Sequence, residues 1–294
     1  MRTLVKSLLA RACDATGGLR RQHANRLVVL TFHRVCPDDA PPPPPMQNLA
    51  VNAGDFRRLL LWLRERHEPF ALGDWLAGKP LPERGAFAVT FDDGWADNYH
   101  HAWPILRELK IPATIFLSTS AIENRSPFWW QVPGLSDAEI ERLKNSPEAQ
   151  TAHLATCSPA EKAKLAEDFL TWAHVTEMAR DGLLTFGAHG HHHALLDGLS
   201  RADALADIRT SWELLRANAP NGAVPLLAWP NGNARTDLND EMAGLGLRAA
   251  FGTARGTCSA AAQATAIWNL PRNNVDRHTA AEPGLWPWLL LRAK

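Results

Sequence analysis

Short, uninterrupted apolar segments alternate with amphipathic segments along most of the 294-residue chain. A short continuous apolar run is typical of a fully buried strand, and such runs predict strands at residues 26–33, 86–91, 113–117, 184–189, 226–229, 249–253 and 267–270. Apolar residues at helical spacing predict helices at residues 55–67, 95–109, 201–218 and 241–245. Strands that are apolar on both faces are typical of parallel sheets covered by helices. The chain is therefore predicted to be an α/β protein, an irregular (β/α) barrel of about seven strands.

Residues 120–182 interrupt this alternation. They begin with the aromatic run Phe128-Trp129-Trp130 and continue with charged helical stretches near 136–146 and 159–180. We interpret this segment as a helical insertion and not as a separate domain. The predicted organisation is an N-terminal helix or extension, a main domain and a C-terminal tail, at residues 1–25, 26–275 and 276–294.

The overall composition is that of an ordinary globular protein, with 46% hydrophobic and 21% charged residues. The formal net charge is +0, so no basic field supports binding to nucleic acid. The four cysteines are far apart and form no CxxC pair. This spacing argues against a thiolate zinc site and a disulfide framework, and it predicts free thiols.

Both ends of the chain carry short apolar runs. The first lies between Arg2 and Ala10 and is too short for the apolar core of a signal peptide. It predicts a weak amphipathic helix, which either docks on the domain, the favoured alternative, or lies on a membrane surface. The second, residues 285–291, is expected to pack on the domain. These features predict a cytoplasmic or inner-membrane-peripheral protein, with association to a membrane surface as the minor alternative.

A proline-rich segment, residues 37–45, follows the first predicted strand. Its five consecutive prolines exclude a helix or a central strand. The segment is expected to be a stiff surface loop beside the mouth of a site.

Polar residues that can carry chemistry stand at the ends of the predicted strands. In (β/α) barrels the functional residues lie at the carboxyl ends of the strands. The residues in question are His33, Asp92, Asp93, His189, Pro230-Asn231 and Arg272.

The pair Asp92-Asp93 is ambiguous when taken alone, because Asp-Asp-Gly is also a common turn composition. Successive residues of a strand point in opposite directions. At a strand end, one carboxylate can therefore face a metal while the other faces a substrate or a water molecule.

His189 and His193 are four residues apart, which would place both imidazoles on one face of a helical turn. Two imidazoles and one carboxylate are a ligand set suited to Zn²⁺ or a similar divalent ion, and they leave coordination positions open. The intervening His191 and His192 are expected to face solvent or to support the ligands.

The motif Thr90-Phe91-Asp92-Asp93-Gly94 and the histidine pair resemble the polysaccharide deacetylases of carbohydrate esterase family 4, the NodB-homology group. The resemblance covers roughly residues 26–275. It includes Phe32-His33-Arg34-Val35, the aromatic run at 128–130 and Leu270-Pro271-Arg272. One departure is Gly190, where the family usually has Ser or Thr.

The resemblance implies that Asp92 is the general base and that Asp93, His189 and His193 bind the divalent metal. Zn²⁺ is favoured as that metal, with Co²⁺, Ni²⁺ and Mn²⁺ as alternatives. The third family motif corresponds to Trp229-Pro230-Asn231-Gly232, which is expected to contact the substrate and its oxyanion. Asn231 replaces the usual aromatic residue, so stacking on the substrate would be lost, whereas a backbone N–H donor would be kept.

In the family a histidine near the C-terminal end is the general acid, but His278 lies in polar sequence and does not match. The subgroup that this chain resembles is circularly permuted, which assigns the role to His33. The alternative for His33 is a structural core histidine. Arg272 is expected to orient Asp92, and its alternative is a surface arginine.

The implied activity is metal-dependent removal of N-acetyl groups from N-acetylhexosamine residues of a bacterial surface polysaccharide or its precursor. The implied substrate is an N-acetylated glycan or glycolipid. Two alternatives stay open: a catalytically silent glycan-binding relative, and a hydrolase of the same fold acting on O-acetyl esters or on non-sugar amides.

Overall fold

The computed structural model describes residues 2–40, 45–259 and 267–293. Its strands are β1 (Arg26–Phe32), β2 (Arg34–Cys36), β3 (Ala50–Asn52), β4 (Glu68–Pro69), β5 (Ala86–Phe91), β6 (Ala113–Leu117), β7 (Leu184–Ala188), β8 (Ala223–Ala228), β9 (Ala249–Phe251), β10 (Cys258–Ser259) and β11 (Asn273–Asn274).

The α-helices are α1 (Arg2–Ala15), α2 (Gly18–Gln22), α3 (Ala53–Arg66), α4 (Leu72–Leu76), α5 (Trp103–Leu109), α6 (Thr119–Glu123), α7 (Asp137–Leu143), α8 (Pro147–Ala155), α9 (Pro159–Leu165), α10 (Trp172–Ala179), α11 (Arg201–Asn218), α12 (Asn239–Gly244), α13 (Arg277–Ala281) and α14 (Trp286–Leu291).

The main sheet has the strand order β10-β1-β5-β6-β7-β8-β9, and the pairs from β1 to β9 are all parallel. Among the strands of this sheet that the structure describes, only β10, at the edge beside β1, runs antiparallel. The prediction of an irregular (β/α) barrel of about seven strands is confirmed. All carboxyl ends of the parallel strands meet at one edge of the sheet, which brings the polar residues that follow them together.

Both faces of the sheet are buried, which explains why the strands are apolar without alternation. In β1, Val28 and Leu30 pack under the surrounding helices, whereas Leu27 and Val29 join Phe116 in a second cluster inside the curled sheet. The side-chain period of two thus divides one apolar run between two hydrophobic cores.

The gap between β9 and β1 is crossed by the segment from Leu270 to Val275. The Leu270 amide donates to the carbonyl of Ala250 (2.8 Å), and the Val275 amide donates to the carbonyl of Thr31 (2.9 Å). The predicted strand at 267–270 is wrong, because residues 267–269 turn and only Leu270 forms a bridge, to Phe251. The crossing places Arg272 between the two strands.

The helix predicted at 95–109 is also shorter than expected. Residues Asn98–Ala102 form a π-helical turn before α5 begins at Trp103. The residues before this turn bond to the helical insertion. The amide of Ala96 donates to the carbonyl of Asp168 (2.7 Å), and Trp95 forms an isolated bridge with Phe169.

The segment 120–182 contains α7, α8, α9 and α10, and its two ends return to the sheet. Capping boxes start three of these helices, with Ser136 and Glu139 at α7, Ser158 and Glu161 at α9, and Thr171 and His174 at α10. The Leu170 amide donates to the carbonyl of Gly94 at 2.9 Å, so the helical insertion is joined directly to the loop after β5.

The two ends of the chain pack together, because α1 contacts α14 and the Ser7 hydroxyl donates to the carbonyl of Gly284 at 2.7 Å. The expected packing of residues 285–291 is confirmed: Trp286, Leu289 and Leu290 are buried. No helix within the described ranges is long and apolar enough to cross a membrane. Residues 41–44 of the predicted proline-rich loop lie outside the described residues.

Candidate metal centre and active site

The loop after β5 presents two neighbouring carboxylates to one pocket. The Asp92 amide still donates to the carbonyl of Phe32 (3.1 Å), as a sheet residue would. Asp93 and Gly94 then adopt left-handed conformations, with φ of 77° and 90°. A side chain at Gly94 would start 3.0 Å from Leu117, so glycine is required there. This turn reverses the chain directly after the strand, and both carboxylates line the same pocket.

The loop after β7 carries the histidines and is not helical, so the helical turn predicted for His189 and His193 is wrong. Gly190 has φ of 74° and His193 has φ of 55°. The two imidazoles still meet, with ring centroids 4.9 Å apart. The left-handed residues, and not helical periodicity, bring the side chains together.

Asp207, from α11, organises this histidine loop. Its Oδ1 accepts the amide of His191 (2.7 Å), and its Oδ2 accepts the amide of His192 (3.1 Å). A side chain on Gly190 would start 2.7 Å from Asp207 Oδ1. The replacement of Ser or Thr by Gly190 therefore fits a tight, left-handed loop that is held by a buried carboxylate.

Asp93, His189 and His193 form a group whose ligand atoms all lie within 4.8 Å of one another. Asp93 Oδ1 is 3.5 Å from His189 Nε2 and 3.2 Å from His193 Nε2. Among the described residues, Asp93 Oδ1 is a buried acceptor without a hydrogen-bond partner. A buried carboxylate oxygen that faces two imidazole nitrogens fits a divalent cation.

Neighbouring groups fix the orientation of two of these ligands. His189 Nδ1 lies 2.8 Å from the carbonyl of Ala228, which assigns the proton to Nδ1 and leaves the lone pair of Nε2 facing Asp93. The indole of Trp95 donates to Asp93 Oδ2 at 2.8 Å, so Oδ1 is the oxygen that faces the histidines.

The other two histidines of the loop are directed elsewhere. His191 is buried, and its Nδ1 lies 2.9 Å from the hydroxyl of Thr119, so it does not face solvent. The ring of His192 is largely exposed and bonds to Asp207.

The electrostatics of the group favour a carboxylate anion. Burial by itself raises the pKa of Asp93, but the neighbouring imidazoles of His189 and His193 hold that pKa well below its ordinary value. Burial lowers the pKa of His189, and the charges of Asp92 and Asp93 reverse this, so that the net shift is upward. The two carboxylates thus favour a positive charge on His189, and a bound cation would supply that positive charge instead.

Asp92 faces a different partner. Both of its oxygens accept hydrogen bonds from Arg272, at 2.7 and 2.8 Å, and Arg272 Nε donates to the carbonyl of Gly252 (3.0 Å). Arg272 is only 1% exposed, so it is not a surface arginine. Burial raises the pKa of Asp92, but the charges of Arg272 and His189 bring it below its ordinary value. Asp92 is therefore ionised at neutral pH and can accept a proton.

His33 follows β1 directly and lines the same pocket as Asp92 and Asp93. Its backbone carbonyl accepts a hydrogen bond from Asn98 Nδ2 (2.9 Å), which fixes the end of the strand. Its Nδ1 is buried and has no partner among the described residues. Burial lowers the pKa of His33, against the opposing charges of Asp93 and Asp92.

The segment after β8 also reaches the pocket, but in an unexpected way. Trp229 is fully buried, and its indole donates to the carbonyl of Trp268 at 2.8 Å. Asn231 has a left-handed φ of 56°, and its side-chain amide donates to Asn233 Oδ1 (2.9 Å). Trp229, Asn231 and Gly232 line the pocket, and the indole N–H of Trp229 is used internally.

One pocket of about 420 Å³ joins these residues, and its other walls come from the helical insertion and from the segment that follows the proline run. Trp130 packs on His193, with ring centroids 4.9 Å apart. Arg34 lies over the ring of Trp95 at 4.3 Å and bonds to the half-buried Asp97 at 2.7 Å.

Trp95, Asp97 and Asp207 were not predicted as site residues. Trp95 and Asp97 stand within four residues of Asp93, and their proximity to the strand end was an available signal. Asp207 lies in the middle of α11, where no local pattern in the sequence separates it from an ordinary helix residue.

Comparison with known proteins agrees with this geometry. Residues 80–250 match the family model for polysaccharide deacetylase. Because the match covers more than half of the chain, this protein belongs to the polysaccharide deacetylase family.

The chain is similar to the poly-beta-1,6-N-acetyl-D-glucosamine N-deacetylase of Escherichia coli (strain K12), with 27% identity over 170 residues, 56% of this chain and 20% of that protein. A relative from Bacillus subtilis (strain 168) is matched over 39% of its length. The chain thus spans well under two thirds of either protein.

Two solved structures share the fold. The Streptococcus pyogenes deacetylase PplD in complex with acetate superimposes with a TM-score of 0.62 at 20% identity, covering 92% of this chain and 98% of that chain. IcaB from Ammonifex degensii superimposes with a TM-score of 0.63 at 20% identity, covering 90% and 98%.

Proposed function

We propose that this protein is a metal-dependent hydrolase that removes N-acetyl groups from N-acetylhexosamine residues of a bacterial surface polysaccharide or its precursor. The observation that carries the proposal is the convergence of Asp93 Oδ1 with the two imidazole nitrogens beside an ionised Asp92. Membership of the polysaccharide deacetylase family and similarity to a poly-N-acetylglucosamine deacetylase support the reaction type.

Asp93, His189 and His193 would hold the divalent ion, with Zn²⁺ as the favoured metal because two imidazoles and one carboxylate suit it. When bound, such an ion supplies Lewis acidity that polarises the acetamide carbonyl and acidifies water. The role of the three residues is to present three lone pairs in a fixed arrangement while leaving the pocket side open.

Asp92 is the general base. As the water oxygen bonds to the carbonyl carbon, one water proton moves to the Asp92 carboxylate, which Arg272 keeps ionised and oriented. The backbone N–H at Asn231 would donate to the developing oxyanion, a role that does not depend on the aromatic side chain that Asn231 replaces.

His33 completes the reaction as the proton donor. The C–N bond breaks, the nitrogen leaves with the bonding electron pair, and His33 gives it a proton from its protonated form, which the charges of Asp93 and Asp92 favour against burial. The products are acetate and a free amino sugar. Transfer of the proton from Asp92 back to His33 restores the site. His33→Ala should lower turnover sharply while the metal content stays unchanged, and near-normal turnover would move the general acid elsewhere.

The pair Asp92→Asn and Asp93→Asn tests the division of roles, because the substitutions are chemically identical and adjacent. We expect Asp92→Asn to keep its zinc and lose acetate release, and Asp93→Asn to lose both. His193→Ala removes a proposed metal ligand. Its matched control is His192→Ala, which changes an exposed histidine of the same loop. Unchanged zinc content in Asp93→Asn, measured by elemental analysis, would exclude the assignment of the ligand.

A membrane-surface position is a further part of the proposal. Residues 2–26 contain six Arg or Lys residues and one acidic residue, Asp14, in a chain of zero net charge. Leu8 and Leu9 of α1 are 57% and 60% exposed, and Arg11, Arg20 and Arg21 are exposed beside them in sequence. Exposed leucines among basic residues match the chemistry of an anionic lipid surface.

A further inference from the structure

The pocket has a polar end and an aliphatic part that come from different segments of the chain. The metal and base residues stand at the strand ends. Leu195, which follows the histidine loop, also lines the pocket, and four further aliphatic residues are here called the aliphatic lining: Met46, Leu49, Ile140 and Leu165. The first two follow the proline run, and the other two belong to α7 and α9 of the helical insertion.

The two segments that supply the aliphatic lining are bonded to each other. The amide of Met46 donates to Asp137 Oδ1 at 3.0 Å, and Asp137 is the first residue of α7. This contact joins the loop before β3 to the helical insertion. The aliphatic lining therefore comes from two segments of the chain that this hydrogen bond holds together.

The aliphatic lining itself cannot bond to sugar hydroxyls, whereas other residues that line the pocket can: Gln131, Glu141, Lys144 and Gln150. Sugar hydroxyls that leave water need hydrogen-bond partners, and aliphatic side chains offer none. Tryptophan rings such as Trp129 and Trp130 can lie against a sugar face, but Met, Leu and Ile cannot replace them. Met46, Leu49 and Leu165 are also only half-buried, so they are not ordinary core residues. They gain most when an apolar group covers them.

The size of the pocket also indicates a small ligand with one sugar. A volume of about 420 Å³ is at the lower end of the range of small-molecule sites, roughly 300–1,000 Å³. An amide placed at the polar end leaves the neighbouring part of the ligand against the aliphatic lining. A ligand that satisfies both regions is one sugar with a hydrocarbon group attached.

We infer that the substrate is amphiphilic: an N-acetylated sugar carrying a hydrocarbon chain, with the acetamide at Asp92 and Asp93 and the chain against the aliphatic lining. This inference rests on the proposed deacetylase function for the position of the acetamide. Of the two substrate classes implied by the sequence, an N-acetylated glycan and a glycolipid, it selects the glycolipid. The residues that would bind the hydrocarbon chain are Met46, Leu49, Ile140 and Leu165.

The test uses the full zinc-loaded chain with methyl and octyl glycosides of N-acetylglucosamine below the micellar concentration. Burial of several methylene groups should raise kcat/KM for the octyl glycoside at least about tenfold over the methyl glycoside. Leu165→Asn and Leu49→Asn, which are near in volume, should lower kcat/KM for the octyl glycoside to that for the methyl glycoside and so remove the preference. Leu245→Asn, a half-buried leucine outside the pocket, should keep the preference.

A binding measurement separates this inference from the deacetylase function. Calorimetry on the metal-free chain should show tighter binding of octyl N-acetylglucosaminide than of the methyl glycoside, and weaker binding of octyl glucoside, which lacks the acetamide. Equal affinity and equal kcat/KM for methyl and octyl glycosides would overturn the inference while the function stands. Chain-dependent binding with no acetate from any glycoside would overturn the function and leave the lipid-binding site.

Discussion

Arg272 holds both carboxylate oxygens of Asp92, at 2.7 and 2.8 Å, although 180 positions separate the two residues in the chain. Both side chains are almost fully buried. A planar guanidinium can bind a carboxylate through two parallel hydrogen bonds, and a lysine ammonium cannot. Arg272 therefore fixes the plane of the proposed base as well as its charge.

Arg272→Lys should keep the charge and lose the second hydrogen bond. We expect kcat to fall at least about tenfold with unchanged zinc content, because a base that is free to rotate loses alignment with water. Arg235 also binds a carboxylate through two bonds, to Asp237, but outside the pocket. Arg235→Lys is the matched control and should retain full turnover. A similar loss of turnover in both variants would contradict a specific role for Arg272.

Trp95 should set the affinity for metal. Its indole holds Asp93 Oδ2, and the ring is fixed between Arg34 and Phe169, which stacks on it at 4.7 Å. Trp95→Phe keeps the ring and removes the donor, so zinc affinity should fall roughly 10–100-fold. Competition with a chromogenic chelator measures this change.

The matched control for Trp95→Phe is Trp103→Phe, because the indole of Trp103 also donates to an aspartate, Asp181, at 3.2 Å and away from the pocket. Zinc affinity should be unaffected in this control. If Trp95→Phe bound zinc as tightly as the wild type, the orienting role of the indole would be excluded.

The buried pair His23 and His67 should make the fold sensitive to acid. Their rings share a hydrogen bond of 3.0 Å, and burial, with the neighbouring His23 charge, lowers the pKa of His67 to about 3. Between pH 6.5 and 3 the unfolded chain therefore binds a proton at His67 that the folded chain does not. The free energy of unfolding is fully retained above pH 6.5 and should fall by up to about 1.4 kcal/mol per pH unit below it.

His67→Gln keeps a donor for His23 and removes the titration, so urea unfolding should show a shallower decline from pH 7 to 5 than in the wild type. His278→Gln, at an exposed position, is the control and should leave the slope unchanged. Parallel profiles for wild type and His67→Gln would show that this pair does not limit acid stability.

Binding to anionic vesicles tests the membrane-surface proposal. The wild type should sediment with phosphatidylglycerol vesicles and much less with phosphatidylcholine, and added salt should weaken the binding. The double variant Arg20→Glu and Arg21→Glu, or Leu8→Ser with Leu9→Ser, should reduce it about tenfold. Arg209→Glu, on α11, is the control for charge alone. Equal sedimentation with both lipids would contradict the proposal.

The position of the candidate site could be predicted from the apolar strands. Strands that are apolar on both faces indicate a parallel sheet, and a parallel sheet brings the carboxyl ends of its strands together. This prediction placed Asp92 and His189 at the carboxyl-end edge of the sheet, where they directly follow β5 and β7. The spacing of four residues was misleading for His193, because it suggested a helical turn. Gly190 and His193 instead have left-handed φ values, and this loop conformation depends on Asp207, which is distant in sequence.

The position of Arg272 also could not be read from local pattern. The segment 267–270 looked like a strand, but it turns at 267–269, and the chain then crosses from β9 to β1. Only this crossing places Arg272 beside Asp92. The aliphatic lining is likewise the product of two segments joined by the bond between Met46 and Asp137, whose sequences contain no mutual signal.

The most direct test of the central claim is acetate release from N-acetylglucosamine oligosaccharides by the chain after chelation and after zinc is returned. Asp93, His189 and His193 are proposed to hold an ion that the reaction requires. The account predicts loss of acetate release in chelator and recovery with zinc in the wild type, with no recovery in Asp93→Asn. Acetate release that continues unchanged in chelator, or recovers equally in Asp93→Asn, would contradict it.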